Sequence, residues 1–141
     1  MKSSINISAR TQALPNVAQI IPAIKTRQDG TEVPSPSVHV AVVIPAYCVV
    51  GYVAEVISQI PPLVQTIIAV DDRSPDGTGE LLDQLARRDG RLIIIHHETN
   101  RGVGGATKSG YLEAIKRGAD VVVKLDGDGQ MNPEYIKTLL D

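Results

Sequence analysis

Four short runs of consecutive apolar residues divide the chain from residue 38 onward. They are "VAVVI" at 40–44, "IIAV" at 67–70, "LIII" at 92–95 and "VVV" at 121–123. Apolar residues that are continuous, rather than alternating with polar ones, are typical of strands covered on both faces. The runs start 25 to 29 residues apart, which is close to the length of one strand-plus-helix unit.

The segments between the runs predict helices. They lie at about 51–60, 78–89, 103–117 and from 132 onward. Asp76 or Thr78 provides an N-cap for the second helix, and Gly118 ends the third. The alternation predicts an α/β fold, a Rossmann-like parallel sheet with right-handed βαβ crossovers and helices on both faces. Because the last helix is still running at Asp141, we expect a truncated part of a larger protein.

Residues 1–37 differ in composition from the rest of the chain. They contain four prolines among many polar residues, which predicts an N-terminal extension that is partly disordered. The alternative is that "NVAQIIPAI" docks on the domain as a short helix.

Composition narrows the classes of function. The 141 residues are 43% hydrophobic and 21% charged, with a formal net charge of −2, which suits one soluble globular domain with an aliphatic core. The mild acidity argues against a nucleic-acid-binding surface, because no basic stripe is available to neutralise phosphates. No apolar run is long enough to predict a membrane span. The single cysteine, Cys48, fits a reducing, cytoplasmic compartment.

Polar residues follow each apolar run, at the predicted strand ends. The stretches are "PAY" at 45–47, "DDRSPDGT" at 71–78, "HHETNRGVGG" at 96–105 and "LDGDGQ" at 125–130. In an open parallel sheet, ligands bind beyond the carboxyl ends of the strands. We therefore expect Asp71, Asp72, Asp126 and Asp128 to lie near one another.

The stretch "LDGDGQ" points to a hard cation. Two carboxylates separated by one glycine, Asp126 and Asp128, can both face a cation that takes oxygen ligands. Two like charges about 4 Å apart repel by roughly 4 kcal/mol at an effective dielectric near 20, so a diphosphate would avoid this acidic tip unless a divalent metal bridged them. Mg²⁺ or Mn²⁺ resolves the conflict and polarises the diphosphate as a leaving group. A calcium loop is excluded, because Met131 and Lys137 occupy its required glycine and glutamate positions.

The glycine-rich stretch "NRGVGGATKSG" has two interpretations. Counted from Gly102, Lys108 and Ser109 match the Walker pattern, but Thr107 replaces its second glycine. A P-loop nucleoside triphosphatase, with Asp126 ending a Walker B strand, is the alternative enzyme. The interpretation that we favour is a turn and a tight helix start beneath a nucleotide, with Lys108 on a helix face near the pocket.

Other polar residues near the strand ends carry structural predictions. Adjacent residues on a strand point to opposite faces, so His96 and His97 are not expected to share a metal. Lys124 lies two residues before Asp126, on the same face, and is expected to pair with a carboxylate. For Cys48 no base partner can be argued, which disfavours a nucleophilic role.

Four stretches in this order resemble one enzyme family. They are "VAVVIPAY", "IIAVDDRSPDGT", "NRGVGGATKSGY" and "VVVKLDGDGQMNPE". They are similar to the N-terminal half of inverting family 2 glycosyltransferases, nearest to the polyprenyl- or dolichyl-phosphate sugar synthases and bacterial cell-surface glycosyltransferases. The resemblance implies a GT-A fold that binds a nucleotide-sugar with Mg²⁺ or Mn²⁺ and transfers the sugar to a polyprenyl-phosphate or glycan acceptor.

The resemblance also implies roles for particular residues. The implied nucleotide-sugar-binding residues are Pro45, Ala46, Tyr47, Asp71, Asp72, Lys108, Asp126, Gly127 and Asp128. Asp72, with Asp71, would contact the base or ribose, and Asp128 would be the main metal ligand, with Asp126 and Gln130 contributing.

The resemblance is partial in two respects. The family usually follows its tyrosine with Asn, and often Glu, where this chain has Cys48 and Val49. The family's acceptor site and general base lie beyond the metal motif, so residues 38–141 would be the nucleotide-sugar-binding part of a domain whose acceptor half is missing. Membrane association, at the cytoplasmic face, would then reside in parts outside this chain. A nucleotide-binding fragment without catalysis is the non-enzyme alternative.

Overall fold

The computed structural model describes residues 38–140. The predicted N-terminal extension over residues 1–37 and the alternative helix over "NVAQIIPAI" lie outside the described residues.

Strands and helices alternate along the described part of the chain, as predicted. They are β1 (Val40–Ala46), α1 (Val53–Ser58), β2 (Thr66–Asp71), α2 (Thr78–Ala86), β3 (Leu92–His96), α3 (Gly102–Lys116), β4 (Val121–Lys124) and α4 (Tyr135–Leu140). The first helix is shorter than predicted. Two consecutive prolines follow it at 61–62, and a residue before proline is disfavoured in helical conformation.

The four strands form one parallel sheet in the order β3-β2-β1-β4. Both β2 and β4 pair with β1, although β3 lies between β2 and β4 in the sequence. The order of strands therefore reverses at β1, and crossovers leave it towards both edges of the sheet. In open α/β sheets the crevice at such a reversal, outside the carboxyl ends of the strands, is where ligands bind.

The two faces of β1 pack against different helices. Val42 and Ile44 belong to a core that includes side chains of α1, α2 and α4, whereas Ala41 and Val43 pack with side chains of α3. Every residue of β1 is buried, which explains why its sequence is continuously apolar. The predicted placement of helices on both faces is confirmed.

The helix α3 lies unusually close to the sheet. Its buried residues Ala106, Gly110 and Ala114 follow one another at intervals of four, on one side of the helix. A β-carbon added to Gly110 would collide with Cγ1 of Val43. Only glycine at this position allows the helix backbone to approach β1 so closely.

The N-cap predicted for the second helix is wrong. The cap of α2 is Gly77, in the left-handed conformation with φ +90°, rather than Asp76 or Thr78. A residue with no β-carbon adopts this conformation without strain. Asp76 instead accepts hydrogen bonds from the backbone N–H and the hydroxyl of Thr78, at 3.1 and 2.6 Å.

Candidate functional site

An open cleft of about 360 Å³ lies at the carboxyl ends of the strands, where the strand order reverses. Seven of the nine residues implied to bind a nucleotide-sugar line it: Pro45, Ala46, Tyr47, Asp72, Asp126, Gly127 and Asp128. Asp71, Lys108 and Gln130 do not line the cleft. The parallel topology therefore brings together residues that are up to 83 positions apart in the sequence.

Some residues of the cleft were not singled out from the sequence. Val49 and Asn100 line it, together with Val103 from the first turn of α3. Asn100 is the first residue of the glycine-rich stretch "NRGVGGATKSG", and this position was the available signal. Val49 was noted from the sequence only as a departure from the family pattern, and an apolar residue after a strand does not by itself indicate a site.

Asp72 is a buried carboxylate at the floor of the cleft, only 2% exposed. Its Oδ1 accepts hydrogen bonds from the backbone N–H of Arg101 and from Nδ1 of His97, both at 2.8 Å. Burial by itself would raise the pKa of Asp72, but the bonds from Arg101 and His97 outweigh it and hold the pKa below its ordinary value. The carboxylate is therefore charged at neutral pH.

The preceding residue, Asp71, points to the other face of the sheet, as successive residues at a strand end do. Its carboxylate accepts from the backbone N–H of Ser74 at 3.0 Å and contacts Nδ1 of His96 at 3.2 Å. A β-carbon added to Gly79 in α2 would lie 2.6 Å from Asp71 Oδ2. Asp71 is thus enclosed beneath α2, on the side away from the cleft.

His96 and His97 diverge in the same way, as predicted. The other ring nitrogen of His96, Nε2, lies 2.9 Å from Asp83 of α2, and Nε2 of His97 lies 2.8 Å from Ser109 of α3. Burial alone would lower the pKa of His96, but the adjacent carboxylates of Asp83 and Asp71 outweigh it and raise the pKa. All four ring nitrogens are engaged by protein groups, which leaves none free for a metal.

The segment after β4 presents two carboxylates to the cleft. Asp126 lies 3.4 Å from Nζ of Lys124, which confirms the predicted ion pair. Asp128 is exposed, and its Oδ1 accepts the backbone N–H of Gln130 at 3.1 Å. Gly127 between them is buried, and a β-carbon there would lie 3.3 Å from Cγ2 of Val49. The same β-carbon would lie 3.4 Å from Cγ2 of Ile44 in β1, so the glycine lets the backbone lie close to β1 with an aspartate on either side.

The carboxylates of Asp126 and Asp128 suit a divalent cation whose coordination is completed by a bound ligand. Within residues 38–140, no group of three or more His, Cys, Asp or Glu side chains gathers around one point. Mg²⁺ in proteins is commonly held by one or two carboxylates, with waters and substrate phosphates completing its coordination. Asp126 and Asp128, both solvent-accessible oxygen donors of the same cleft, fit that requirement.

The glycine-rich stretch does not form a phosphate-binding loop. The helix α3 already begins at Gly102, so Gly104 and Gly105 lie within its first turn and no loop remains to surround a phosphate. Lys108 is exposed and lines a neighbouring groove together with Lys124 and Tyr111, outside the cleft. The geometry that a P-loop triphosphatase requires is absent from this stretch.

The family model described as "Glycosyl transferase family 2" matches residues 41–141. The chain belongs to glycosyl transferase family 2. This membership confirms the resemblance drawn from the four sequence stretches, and it leaves the P-loop alternative without support.

This family 2 chain is similar to two curated enzymes named for lipid-phosphate substrates or products. It is 41% identical over 75 residues to the undecaprenyl-phosphate mannosyltransferase of Micrococcus luteus, which is 53% of this chain and 31% of the relative. It is 37% identical over 114 residues to the polyprenol monophosphomannose synthase of Mycolicibacterium smegmatis, which is 75% of this chain and 41% of the relative. The matched part is thus less than half the length of either relative.

A solved structure shows that the fold is shared. The mannosyltransferase PcManGT from Pyrobaculum calidifontis, determined in complex with GDP-Man and Mn²⁺, superposes with a TM-score of 0.56 at 22% identity, covering 74% of this chain and 31% of that one. The predicted GT-A type of fold is confirmed for this family 2 chain. Among its described residues, no helix is both long and apolar enough to cross a membrane.

Proposed function

We propose that this chain carries the nucleotide-sugar and metal site of a glycosyltransferase. The reaction is metal-dependent transfer of a sugar from a nucleoside-diphosphate sugar to a polyprenyl-phosphate or glycan acceptor. One observation carries the proposal: a single cleft, at the reversal of strand order, joins the Pro45–Tyr47 segment and Asp72 to the two aspartates that follow β4. That cleft combines a wall against which a base can pack, a carboxylate that can accept hydrogen bonds from the nucleoside, and a pair of carboxylates that can bind a cation.

The donor is recognised by complementary chemistry along the cleft. The ring of Tyr47 is half exposed and lies beside Pro45 and Ala46, so these three residues form the wall against which the base packs. Asp72 is ionised and accepts an N–H of the base or a hydroxyl of the ribose. Lys108, Asp71 and Gln130 have no direct donor contact in this proposal, because they lie outside the cleft lining.

Asp126 and Asp128 would hold Mg²⁺ or Mn²⁺. When bound, the metal stabilises the charge that develops on the departing nucleoside diphosphate. The protein contributes two carboxylates at the mouth of the cleft, with Gly127 fixing the backbone between them. PcManGT, which shares the fold, was determined with GDP-Man and Mn²⁺, and this supports the presence of a divalent metal at the proposed donor site.

The names of the relatives favour a lipid phosphate as the acceptor. The Micrococcus and Mycolicibacterium enzymes are named for undecaprenyl phosphate and for polyprenol monophosphomannose. A phosphate acceptor is already an anion, so the transfer needs no general base to deprotonate a hydroxyl. Such a reaction would take place at the cytoplasmic face of a membrane.

Calorimetric titration tests the proposal. UDP-sugars and GDP-sugars are titrated, with and without Mn²⁺, into the wild-type chain, Asp128→Ala and the charge-matched control Glu134→Ala, whose exposed side chain lies outside the cleft. We expect Mn²⁺-dependent binding in the wild type and the control and its loss in Asp128→Ala. A folded wild-type chain that binds ATP through Lys108 and neither sugar nucleotide would overturn the proposal.

A further inference from the structure

A line of three side chains connects α3 to the floor of the cleft. Ser109 Oγ lies 2.8 Å from Nε2 of His97, and Nδ1 of His97 lies 2.8 Å from Oδ1 of Asp72. The side chains of His97 and Asp72 are only 4% and 3% exposed. Nothing in the metal or base chemistry proposed above uses His97 or Ser109.

The order Ser-His-Asp is that of a hydrolytic triad, but the surroundings exclude this role. A nucleophilic serine must present its hydroxyl to a substrate, next to donors that can hold an oxyanion. Ser109 lines neither the cleft nor the neighbouring groove, and its hydroxyl points towards the buried ring of His97. The line of hydrogen bonds therefore acts on Asp72, which does line the cleft.

The hydrogen bonds determine the tautomer of His97. An ionised carboxylate only accepts, so Nδ1 of His97 carries the hydrogen that it donates to Asp72. In the neutral ring, Nε2 is then an acceptor, and the Ser109 hydroxyl donates to it. Ser109 thus favours the tautomer that holds Asp72. The close approach of α3 to β1 at Gly110, the next residue, brings this hydroxyl to the ring.

The two oxygens of Asp72 have different surroundings. Both Arg101 and His97 donate to Oδ1. Within the described residues, no fully buried side-chain oxygen lacks a hydrogen-bond partner. The backbone N–H of Gly102 also helps to lower the pKa of this carboxylate, but among residues 38–140 no donor completes a hydrogen bond to Oδ2. Oδ2 is therefore not fully enclosed by the described residues and keeps access to the cleft that Asp72 lines. It is the oxygen available to a ligand.

We infer that His97, oriented by Ser109, is a positioning residue that holds Asp72 with Oδ2 turned into the cleft to accept one hydrogen bond from the base or ribose of the donor nucleotide. This inference rests on the proposed donor site. It assigns a role in nucleotide affinity to two residues that lie outside the cleft.

Two substitutions of His97 separate its two contacts. The amide of Asn can occupy the position of Nδ1, and the longer amide of Gln that of Nε2, so His97→Asn retains a donor to Asp72 while His97→Gln does not. Both variants remove the buried ring, so their stabilities are affected alike. UDP and GDP are titrated with Mn²⁺ into each full-length chain by calorimetry, and thermal unfolding by circular dichroism reports folding.

We expect His97→Gln to bind the preferred nucleotide about 5- to 10-fold more weakly than His97→Asn, a difference of the size that one typical hydrogen bond contributes. Ser109→Ala is expected to weaken binding about 2- to 5-fold, because its loss removes the tautomer preference without removing the ring. Ser58→Ala, which deletes a hydroxyl that bonds only within α1, should bind as the wild type does. The imidazole ¹⁵N shifts of His97 should report hydrogen on Nδ1.

The outcomes are distinguishable. If His97→Gln, His97→Asn and Ser109→Ala all bind the nucleotide with the affinity of the wild type, the positioning role is wrong. The proposed donor site would not be affected by this result. A folded wild-type chain that binds neither nucleotide would overturn both. If the His97 variants do not fold, the positioning role is tested by the nucleotide affinity of Ser109→Ala and by the ¹⁵N shifts of the wild type. Hydrogen on Nε2 of His97 with none on Nδ1 would contradict the inference.

Discussion

Lys124, the last residue of β4, holds its Nζ 3.4 Å from Oδ1 of Asp126, one of the two carboxylates proposed to bind a metal. The pair is partly exposed, with the two side chains 32% and 48% accessible. A cation that binds at Asp126 must therefore compete with the ammonium group for the same carboxylate. If the proposed metal site is correct, we expect the lysine to lower the intrinsic metal affinity of the cleft and to limit metal binding in the absence of a diphosphate.

Replacing Lys124 by Gln is expected to raise the affinity of the chain for Mn²⁺ without nucleotide. The gain should be roughly two- to fivefold, the effect of a partly exposed ion pair, and should shrink at high ionic strength. Electron paramagnetic resonance of free Mn²⁺ measures it. Lys116→Gln removes the same charge at the far end of α3 and should change little. If Lys124→Gln and Lys116→Gln change the Mn²⁺ affinity equally, the effect depends on the net charge of the chain and not on the ion pair with Asp126.

The residue after Tyr47 is held in an unfavourable conformation. Cys48 has φ +55°, in the left-handed region that disfavours most residues with a β-carbon and that Asn tolerates. Because Cys48 is exposed, a substitution there changes the backbone preference with little effect on packing. We expect Cys48→Asn to raise the free energy of unfolding by about 0.5–1 kcal/mol, and β-branched Cys48→Val to lower it by about 1–2 kcal/mol.

Urea denaturation of the two variants measures these changes. Cys48→Ser serves as the control, because it removes the thiol without adding a branch at the β-carbon or an amide, and its stability should be close to that of the wild type. A Cys48→Asn variant that is less stable than Cys48→Ser would contradict the prediction.

An ion pair at the start of β3 makes stability depend on pH. Arg91 donates from Nε and Nη2 to the two oxygens of Asp89, at 3.1 and 2.9 Å, and from Nη1 to the carbonyl of Pro61 at 3.0 Å. The hydrogen bonds from Arg91 hold the pKa of Asp89 below its ordinary value. A carboxyl whose pKa is lower in the folded state stabilises it above the unfolded pKa, about 3.9, and loses this contribution as pH falls through the native pKa.

The variant Asp89→Asn should therefore be less stable than the wild type at pH 7, with the difference narrowing as the pH is lowered below about 4. Thermal unfolding between pH 7 and pH 2 measures the difference. Glu134→Gln, which neutralises an exposed carboxylate, is the control, and its difference from the wild type should stay small throughout. A difference for Asp89→Asn that widens on acidification would refute the assignment.

Two glycines of α3 should respond in opposite ways to alanine. At Gly110 the added methyl group collides with Val43, so Gly110→Ala should lower the free energy of unfolding by about 2–4 kcal/mol. At Gly104 the same methyl group meets open space, and Gly104→Ala should raise it by about 0.5–1 kcal/mol through helix propensity.

Chemical denaturation compares the two glycine variants. Adding Val43→Ala to Gly110→Ala removes the colliding methyl groups and should recover part of the loss, whereas the two substitutions would be additive if they did not share a contact. Additive losses would mean that α3 is held against β1 by other contacts.

The strands and the position of the cleft could be predicted because both follow from local patterns. Continuous apolar runs identify buried parallel strands, and parallel strands gather their carboxyl ends at one edge, so Asp72 and Asp128 could be assigned to one site. The helix α3 was predicted to within one residue at each end.

The features that were not predicted depend on tertiary contacts. The handedness of crossovers does not determine that β4 pairs with β1 rather than β3, so the strand order required the structure. The line from Ser109 through His97 to Asp72 exists because α3 approaches β1 closely, and the sequence does not show which glycine of the predicted helix permits that approach. The N-cap at Gly77 depends on a left-handed backbone conformation. The sequence did not indicate it, because the neighbouring Asp76 and Thr78 are residue types that are themselves preferred as N-caps.

The pairing of β1 with β4 has a consequence for how the molecule assembles. His39 and Asp120, which are joined by a hydrogen bond at the start of these strands, are 81 residues apart in the chain. Closing so long a loop costs more entropy than the short crossovers that join β1, β2 and β3, and it delays the contacts that depend on it. During synthesis, a three-stranded sheet can form before Asp126 and Asp128 have left the ribosome. The two carboxylates proposed to bind a metal are therefore expected to join the cleft after the segments proposed to contact the base and ribose, which already lie together in the three-stranded sheet.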